Sequence, residues 1–160
     1  SGVDFISVDS AVSMQEAVEA RYNDVNVVIM AAAVSDFRVL HKAEQKIKKM
    51  ESMTIELVKN PDILQGLGSK KNHQILVGFA AETNDVLQNA QKKLAKKNLD
   101  LIVANDVTAP GAGFDVDTNI VTFVTQDGLE KLPKMKKAEV ADTLLDRILR
   151  AREGKRQISK

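Results

Sequence analysis

Lysine side chains that could bind phosphate lie in two parts of this chain of 160 residues. The first part is the stretch of residues 42–49, which contains Lys42, Lys46, Lys48 and Lys49 and shows neither a helical nor a strand period. Lysines on an irregular loop above an acidic sheet edge could clamp a phosphate group and neutralise its charge. A run of charges that is merely solvated is the alternative interpretation.

The second group of lysines lies on a predicted helix over residues 84–98 and consists of Lys92, Lys93, Lys96 and Lys97. With the leucines of this helix facing the core, helical geometry directs Lys92 and Lys96 to solvent. Lys93 and Lys97 are one turn apart and flank the apolar stripe. We therefore expect each of these two to have a partner, either an acidic side chain or a ligand phosphate.

A corner of small and acidic residues could receive a ligand. Ala31, Ala32 and Ala33 end an apolar run, and small side chains there would let a ligand approach the backbone closely. Tight packing of a strand against a helix explains these alanines equally well. Asp36 follows and could hold Mg²⁺ together with substrate phosphates, or it could simply cap a turn.

A strong signal for the start of a helix stands at Asn60-Pro61-Asp62. Here Asn60 is the predicted N-cap and Pro61 takes the first helical position. The free N–H groups at such a helix start could receive an anion or the polar edge of a base.

Three apolar runs, residues 25–34, 75–81 and 99–104, stop at the polar corners Ser35-Asp36, Glu82-Thr83 and Asn105-Asp106. Because these runs lack alternation, they predict strands covered on both faces, and the helical stretches between them predict a parallel sheet. Ligands bind outside the carboxyl ends of such strands. We therefore expect the polar corners to gather at one ligand-binding edge.

The elements around these runs follow from caps and loop lengths. Residues 5–8 are expected to form a short strand, and Asp9 or Ser10 to cap the next helix. Residues 37–53 lack periodicity and predict a lid, a binding loop or a disordered segment, followed by a β-like stretch at 54–58. A short helix then runs to about residues 66–68.

Periodicity and turn residues predict the second half of the chain. Thr83 is a candidate N-cap of the helix over 84–98, whose predicted apolar stripe consists of Leu87, Ala90, Gln91 and Leu94. A Gly/Pro loop spans residues 109–113. Residues 120–124 and 129–132 predict a hairpin around Gln126-Asp127-Gly128. The last helix, over about 137–152, is expected to bury Ala141, Leu144, Leu145, Ile148 and Leu149.

The composition excludes several functions. A net charge of +1 argues against a nucleic-acid partner. The absence of cysteine excludes a thiol nucleophile and cysteine-bound zinc and suits the cytoplasm, and the two histidines, His41 and His73, stand too far apart to suggest a metal cluster. No apolar run reaches the ~18 residues of a membrane span. Neither a P-loop nor a G-x-G-x-x-G fingerprint occurs.

Several segments that follow one another along the chain are far more specific together than any one alone. They are AAAVSDFR at 31–38, KIKK at 46–49, KNPDIL at 59–64, GFAAET at 78–83 and KNLDLIVAND at 97–106. In this order they closely resemble the phosphopantothenoylcysteine synthetase family, in its bacterial, CTP-using branch. The resemblance covers nearly the whole chain.

With the elements above, this resemblance predicts an α/β fold, a Rossmann-like three-layer sandwich with a mainly parallel sheet plus an antiparallel hairpin. It implies a ligase that uses CTP and Mg²⁺ to activate 4'-phosphopantothenate as an acyl-cytidylate, which the amine of cysteine then attacks. It also implies a homodimer without a nucleic-acid or membrane partner, and the hairpin is a plausible dimer element. FMN belongs to a separate decarboxylase domain and is not expected on this chain.

Matched residue by residue, the family's nucleotide site falls on Met30, Ala31, Ala32, Asp36, Lys46, Asp62, Ile63, Leu64, Gln65, Phe79, Lys93 and Lys97. The resemblance implies that Lys46 is the flexible-flap lysine needed to form the acyl-cytidylate. It also implies that Phe79 packs near the base. Asp36 is the candidate for Mg²⁺, through the triphosphate.

The chain departs from the family at its amino end. It begins at Ser1-Gly2-Val3 and has neither the family's Gly-rich first βα unit nor its Asn-bearing segment that acts on the acyl intermediate. We therefore expect an amino-terminally truncated nucleotide-binding domain over residues 1–153, with a basic tail at 154–160. Two alternative functions stay open: a fragment that binds CTP without turnover, and a nucleotide-independent α/β interaction domain.

Overall fold

The computed structural model describes residues 2–82, 86–106 and 117–158. Its helices are α1 (Ala11–Glu19), α2 (Ile63–Ser69), α3 (Val86–Lys96) and α4 (Lys137–Ile158), with a short 3-10 helix at Tyr22–Asp24. Its strands are β1 (Val27–Met30), β2 (Phe37–Val39), β3 (Leu57–Lys59), β4 (Ile75–Glu82), β5 (Leu101–Asp106), β6 (Thr118–Asn119), β7 (Val121–Val124), β8 (Leu129–Lys131) and β9 (Met135–Lys136). The predicted cap at Thr83 and the predicted loop at 109–113 lie outside the described residues.

The main sheet has five strands in the order β1-β4-β5-β7-β8. Strands β1, β4 and β5 run parallel, and β7 and β8 add an antiparallel hairpin, which confirms the predicted α/β fold. The hairpin turn contains Gly128, whose φ of 150° is readily adopted only by glycine. The carboxyl ends of the three parallel strands share one edge of the sheet.

Helices cover both faces of this sheet and complete the three layers. On one face, α1, α2 and α3 pack against the strands through an apolar cluster that includes Val18, Leu67 and Leu94. On the other face, α4 packs through Leu144 and Ile148. Consecutive side chains of β4 enter opposite layers, because side chains alternate along a strand.

The face under α4 is covered only in part. Ile29 of β1 is 40% exposed, and Leu145 and Leu149 of α4 are 49% and 56% exposed. The prediction that β1 is covered on both faces was wrong, as was the burial predicted for Ala141, Leu145 and Leu149. The reason is that α4 packs mainly over β4, β5 and β7: Val27 of β1 still packs against this cluster, but Ile29 and the outer side of α4 border an open groove.

Two helices differ from their predicted extent. In α3, Ala90 and Leu94 are buried, but Leu87 and Gln91 are exposed, so its contact stripe is narrower than predicted. Helix α4 continues to Ile158, beyond the predicted end at residue 152. Among the residues that the structure describes, no helix combines the length and apolarity that a membrane crossing requires.

The start of α1 is the predicted one, but the strand before it is absent. Ser10 and Ser13 form a reciprocal capping box, in which each hydroxyl accepts the other's backbone N–H at 3.1 Å. Residues 5–8 do not form a strand, and Phe5 is 89% exposed. A short strand needs a neighbouring strand to pair with, and no described strand pairs with this stretch.

Helix α2 begins two residues later than its sequence signal predicted. Asp62, rather than Asn60, is the N-cap, and its Oδ1 accepts the backbone N–H of Gln65 at 3.0 Å. The side chain of Asn60 is engaged elsewhere, since its Nδ2 donates to the carbonyl of Ser35 at 2.8 Å. Both residue types are good caps, so the sequence alone could not decide between them.

The predicted irregular stretch 37–53 contains one strand at its start. Strand β2 pairs antiparallel with β3, with Phe37 opposite Lys59 and Val39 opposite Leu57. The β-like stretch predicted at 54–58 overlaps β3 at residues 57 and 58, and it was wrong for residues 54–56, which pair with no strand in the described residues. Between these strands, residues 40–56 contain no helix or strand. We call residues 40–56 the inserted loop.

Candidate functional site

A cleft of about 320 Å³ lies at the carboxyl ends of β1 and β4. Its wall is built by the corner that follows β1, by the connection from β3 into α2, and by Lys97 just after α3. The lining residues are Met30, Ala32, Ala33, Val34, Ser35, Asp36, Lys59, Asn60, Pro61, Asp62, Ile63, Leu64, Phe79 and Lys97. The parallel sheet thus places its ligand-sized cleft at the edge that the sequence predicted.

The cleft brings together predicted site residues that are far apart in the sequence. These are Met30, Ala32, Asp36, Asp62, Ile63, Leu64, Phe79 and Lys97. Four other predicted residues do not line it, namely Ala31, Lys46, Gln65 and Lys93. The fold therefore brings most of the predicted set together at the ends of β1 and β4, at the start of α2 and just after α3.

Lys97 and Asp62, which both line the cleft, form an ion pair. The Nζ of Lys97 lies 2.9 Å from Oδ2 and 3.1 Å from Oδ1 of Asp62. Burial alone would raise the pKa of the Asp62 carboxyl. The hydrogen bonds from Lys97 and from the Gln65 N–H outweigh this effect, and together with the charges of Lys97 and Lys96 they hold the pKa below its usual range. The cation is therefore held in place at a helix start, where an anionic ligand would meet it.

The structure reproduces only part of the predicted division of the four lysines near the end of α3, in which one pair faces solvent and the other pair has partners. The side chain of Lys97 is 24% exposed and has the predicted acidic partner. Lys92 and Lys96 are exposed, but the charge of Lys96 reaches Asp62, so this residue does not act purely on the solvent side. Lys93 is exposed, and its carbonyl accepts the backbone N–H of Lys97 at 3.0 Å.

The corner after β1 is tied to the start of α2 by Asn60. Its side chain bonds to the carbonyl of Ser35, and its backbone N–H donates to the carbonyl of Asp36 at 2.7 Å. Arg38 completes this set, since its Nη1 donates to Oδ1 of Asn60 at 3.2 Å and to the carbonyl of Lys59 at 3.0 Å. The exposed carboxylate of Asp36 is thereby attached to the cleft wall through its own main chain.

Phe79 borders two hollows at once. It lines the cleft and also a more apolar groove of about 380 Å³ on the α4 side, which includes Ala31 and Ile29. Its side chain is 44% exposed. Beneath it, Gly78 permits close packing, because a Cβ there would lie 2.9 Å from Leu64 Cδ2. The aromatic ring is thus available to a ligand while its strand stays fixed in the core.

Lys46 lies in the inserted loop with the other lysines of its group. Lys42, Lys46, Lys48 and Lys49 are all exposed. None of them lines the cleft, so the structure holds no fixed contact between this group and the rest of the predicted site.

Six residues that line the cleft are not among the predicted site residues, namely Ala33, Val34, Ser35, Lys59, Asn60 and Pro61. Among them, Lys59 and Asn60 belong to the segment that carries the resemblance, where Asn60 is the predicted N-cap of a helix whose free N–H groups could receive an anion. The signal that could have marked Lys59 is its position between a β-branched residue and the Asn-Pro-Asp sequence, at the junction of a strand and a helix.

The fold and the site define an α/β domain with a ligand cleft at the carboxyl edge of a parallel sheet. Residues 1–151 match the family described as the DNA/pantothenate metabolism flavoprotein C-terminal domain, and the chain belongs to this family.

Named relatives agree with this assignment. The chain is 53% identical over 147 residues to the coenzyme A biosynthesis bifunctional protein CoaBC of Bacillus subtilis (strain 168), covering 91% of this chain and 36% of the relative. It is 44% identical over 149 residues to the CoaBC protein of Escherichia coli (strain K12), covering 90% and 37%. It is also 41% identical to a cysteine/cysteine sulfinic acid decarboxylase of an unknown prokaryotic organism, covering 92% and 42%. The chain therefore spans well under half the length of these relatives.

Solved structures share the fold. The crystal structure of the C-terminal domain of a CoaBC protein matches with a TM-score of 0.76 at 41% identity, covering 93% of this chain and 66% of that one. The DNA/pantothenate metabolism flavoprotein from Streptococcus pneumoniae matches with a TM-score of 0.73 at 23% identity, covering 94% and 71%. At that identity the second likeness concerns the fold alone.

Proposed function

We propose that this chain is the nucleotide-binding part of a CTP-dependent phosphopantothenate–cysteine ligase of coenzyme A biosynthesis. The observation that supports this most is the cleft, in which Asp36, Phe79 and Lys97 meet at the carboxyl edge of the parallel sheet. An aromatic ring, a carboxylate and a cation at one edge suit the base, the metal ion and the phosphates of a nucleotide. Likeness to relatives named for coenzyme A biosynthesis supports the same assignment.

In this proposal each part of the cleft has a role in holding CTP. The small side chain of Ala32 admits the flat base close to the backbone of the cleft, next to Ala31 of the neighbouring groove, and Phe79, which borders both hollows, packs against the base. Lys97 exchanges its bond to Asp62 for a bond to a phosphate oxygen. The remaining proposed contacts come from Met30, Ile63, Leu64, Gln65 and Lys93.

Mg²⁺ fits this cleft as a companion of the triphosphate. Within the described ranges, no cluster of three or more His, Cys, Asp or Glu residues could hold a metal by itself. Asp36 offers a single exposed carboxylate at the cleft. Mg²⁺ is commonly held by one or two carboxylates plus substrate phosphates, and this donor set agrees with that pattern. The ion would neutralise triphosphate charge.

The proposed reaction has two steps. A carboxylate oxygen of 4'-phosphopantothenate bonds to the α-phosphorus of CTP while the bond from that phosphorus to pyrophosphate breaks. The amine of cysteine then attacks the acyl carbon, loses a proton, and displaces CMP with the electron pair of the C–O bond. Because phosphoryl transfer needs little covalent chemistry from the protein, the cleft contributes alignment and charge neutralisation.

Lys46 is the proposed catalytic residue on the inserted loop. Its exposed ammonium group would approach the phosphates when the loop folds over bound CTP. A cation that arrives only in the assembled complex stabilises the charge that develops during transfer.

Isothermal titration calorimetry with CTP, ATP, GTP and UTP in the presence of Mg²⁺ tests this proposal. We expect CTP to bind at least about tenfold more tightly than ATP, a difference of about 1.4 kcal/mol. Equal affinities for the nucleotides would refute the base assignment. Absence of any nucleotide binding would favour the interaction-domain alternative instead.

A fragment that binds CTP without turnover is the second candidate. The observation that favours it is that this chain covers only 66% of the chain of the solved CoaBC domain. We expect the chain by itself to form no phosphopantothenoylcysteine, even with excess Mg²⁺, cysteine and 4'-phosphopantothenate. Release of pyrophosphate by this chain would exclude the binding-only function.

The proposed ligase works as a homodimer in the cytoplasm, with its nucleotide-binding domain over residues 1–153. Leu129, at the hairpin of β7 and β8, is 47% exposed and offers apolar surface for such contact. Sedimentation equilibrium of the wild type and of Leu129→Lys tests this assembly, and a wild type that stays monomeric at high concentration would contradict it.

A further inference from the structure

Two separate chain segments meet in the wall of the cleft, and Asn60 joins them. One segment is the corner that carries Ser35 and Asp36, and the other leads from β3 into α2. The Nδ2 of Asn60 donates to the carbonyl of Ser35 at 2.8 Å, and its backbone N–H donates to the carbonyl of Asp36 at 2.7 Å. A single residue therefore fixes two successive carbonyls of the corner.

Arg38 fixes the orientation of the Asn60 amide. Its Nη1 donates to Oδ1 of Asn60 at 3.2 Å and to the carbonyl of Lys59 at 3.0 Å. Because guanidinium is only a donor, it must face the amide oxygen, which leaves the amide nitrogen to face Ser35. The amide is thus satisfied on both sides, in one orientation.

We propose that Asn60 is a positioning residue for the ligand cleft, which holds the Asp36 carboxylate at a fixed distance from the Lys97–Asp62 pair. This inference rests on the proposed function, since it assigns Asp36 to Mg²⁺–triphosphate. Asp62 begins α2 only two residues after Asn60, so the segment that Asn60 anchors also carries the partner of Lys97. Without the bond to Ser35, the corner keeps the main-chain bond from Asn60 to Asp36 and the pairing of Phe37 with Lys59, but the carbonyl of Ser35 loses the side-chain bond that holds it to the helix start.

The residue type matches this role closely. A carboxylate at this position could accept from Arg38 but has no N–H to offer the carbonyl of Ser35. Alanine would remove both side-chain bonds and keep the backbone bond to Asp36. Pro61 restricts Asn60 to extended conformations, which limits the directions its side chain can take. Asn60→Asp and Asn60→Ala therefore separate the donor from the acceptor function.

The test measures CTP affinity by calorimetry with and without Mg²⁺, on wild type, Asn60→Ala, Asp36→Asn and the double variant. We expect Asn60→Ala to reduce the gain in affinity that Mg²⁺ gives by about fivefold or more. In the Asp36→Asn background the same substitution should have almost no further effect, because contacting residues couple and independent ones add. Asn23→Ala, at an exposed asparagine far from the cleft, is the matched control and should behave as wild type.

Two further variants keep the test decisive if Asn60→Ala unfolds. Asn60→Asp should reduce the gain in CTP affinity that Mg²⁺ gives to a similar extent as Asn60→Ala. Arg38→Ala, which leaves Asn60 in place, should reduce the same gain by about twofold. If the Mg²⁺ gain persists in folded Asn60 variants that still bind CTP, the positioning role is refuted and the proposed function stands. Additive losses in the double variant would also refute it. A wild type that binds no CTP would overturn the proposed function, and this inference with it.

Discussion

Lys97 and Lys46 are both predicted to meet the phosphates of a nucleotide, but they stand on contrasting kinds of structure. Lys97 follows α3, is 24% exposed, and is already held at the cleft by Asp62. Lys46 is exposed in the inserted loop and does not line the cleft. A cation that already lies at the cleft loses little conformational entropy on binding, although it exchanges its bond to Asp62, whereas a cation on a loop must first be ordered. Under the proposed function, this difference leads us to expect that Lys97 contributes to binding and Lys46 to a later step.

Backbone packing explains why Lys97 is fixed. Gly68 of α2 lies so close to the end of α3 that a Cβ on it would be 1.9 Å from the carbonyl oxygen of Lys97. Asn98 adopts a left-handed φ of 52°, and its Nδ2 donates to the carbonyl of Gly68 at 3.0 Å. The two helices therefore meet main chain to main chain. In the inserted loop, by contrast, the backbone N–H of Leu40 donates to the carbonyl of Glu56 at 2.9 Å, which joins the two ends of the loop to each other and not to the helices.

The largest expected effect separates the two lysines by reaction step. In a protein that carries the family's Gly-rich first βα unit together with this domain, Lys46→Gln should reduce pyrophosphate release by ~100-fold or more, as loss of a transition-state contact does. Its CTP affinity should stay within about twofold of wild type. Release assays and calorimetry measure the two quantities, with Lys42→Gln as the control on the same loop. Undiminished release would remove Lys46 from the mechanism.

The next effect concerns the contact between the two helices. Gly68→Ala forces a methyl group into the Lys97 carbonyl, and overpacking of this kind costs about 1–3 kcal/mol of unfolding free energy. Gly66→Ala in the same helix is the matched control, because its Cβ meets nothing closer than Glu19 Oε1 at 4.0 Å. Urea unfolding should show the control as neutral or stabilised. Equal stability of both variants would contradict the close approach.

The third effect concerns the proposed contact between Lys97 and a phosphate of CTP. Lys97→Ala should weaken CTP binding about tenfold, since a charge-assisted hydrogen bond is worth about 1–3 kcal/mol. Lys92→Ala, on the exposed side of α3, should change the affinity less than about twofold. If calorimetry gave the same loss for both variants, the contribution would be diffuse electrostatics rather than a specific contact.

The smallest effect is the pH dependence of the Asp62–Lys97 pair. Since the folded pKa of Asp62 is lowered, its contribution to stability is present above its unfolded pKa, about 4, and is lost as the pH falls through the folded value. The pair is partly exposed, so Asp62→Asn should cost at most about 1 kcal/mol at pH 7. That difference should shrink toward pH 3 in urea titrations. A difference that grew on acidification would contradict the sign.

The sequence predicted the parallel sheet and its ligand edge because apolar runs and caps are local signals. Ser10 could be recognised as a cap, and Lys97 could be singled out by helical angle. Partnerships between distant segments were not predictable in this way. Nothing in the local sequence indicates that the side chain of Asn60 bonds to Ser35. Because that side chain is engaged there, Asp62 and not Asn60 caps α2. Likewise, the apolar run around Ile29 predicts a strand, but it does not show whether a helix covers that side chain, which is 40% exposed.

The small sheet of β2 and β3 has a consequence for how the protein opens. Within the described residues its hydrogen bonds pair Phe37–Val39 with Leu57–Lys59, and the five-stranded sheet is a separate unit. Small units with exposed main-chain bonds open at far lower free energy than the core strands. In native-state hydrogen exchange, the amides of β2 should therefore exchange through a local opening, whereas the amides of β4 and β5 should exchange only through global unfolding. The β2–β3 pair, which closes the inserted loop, should therefore open and re-form many times before the molecule unfolds globally.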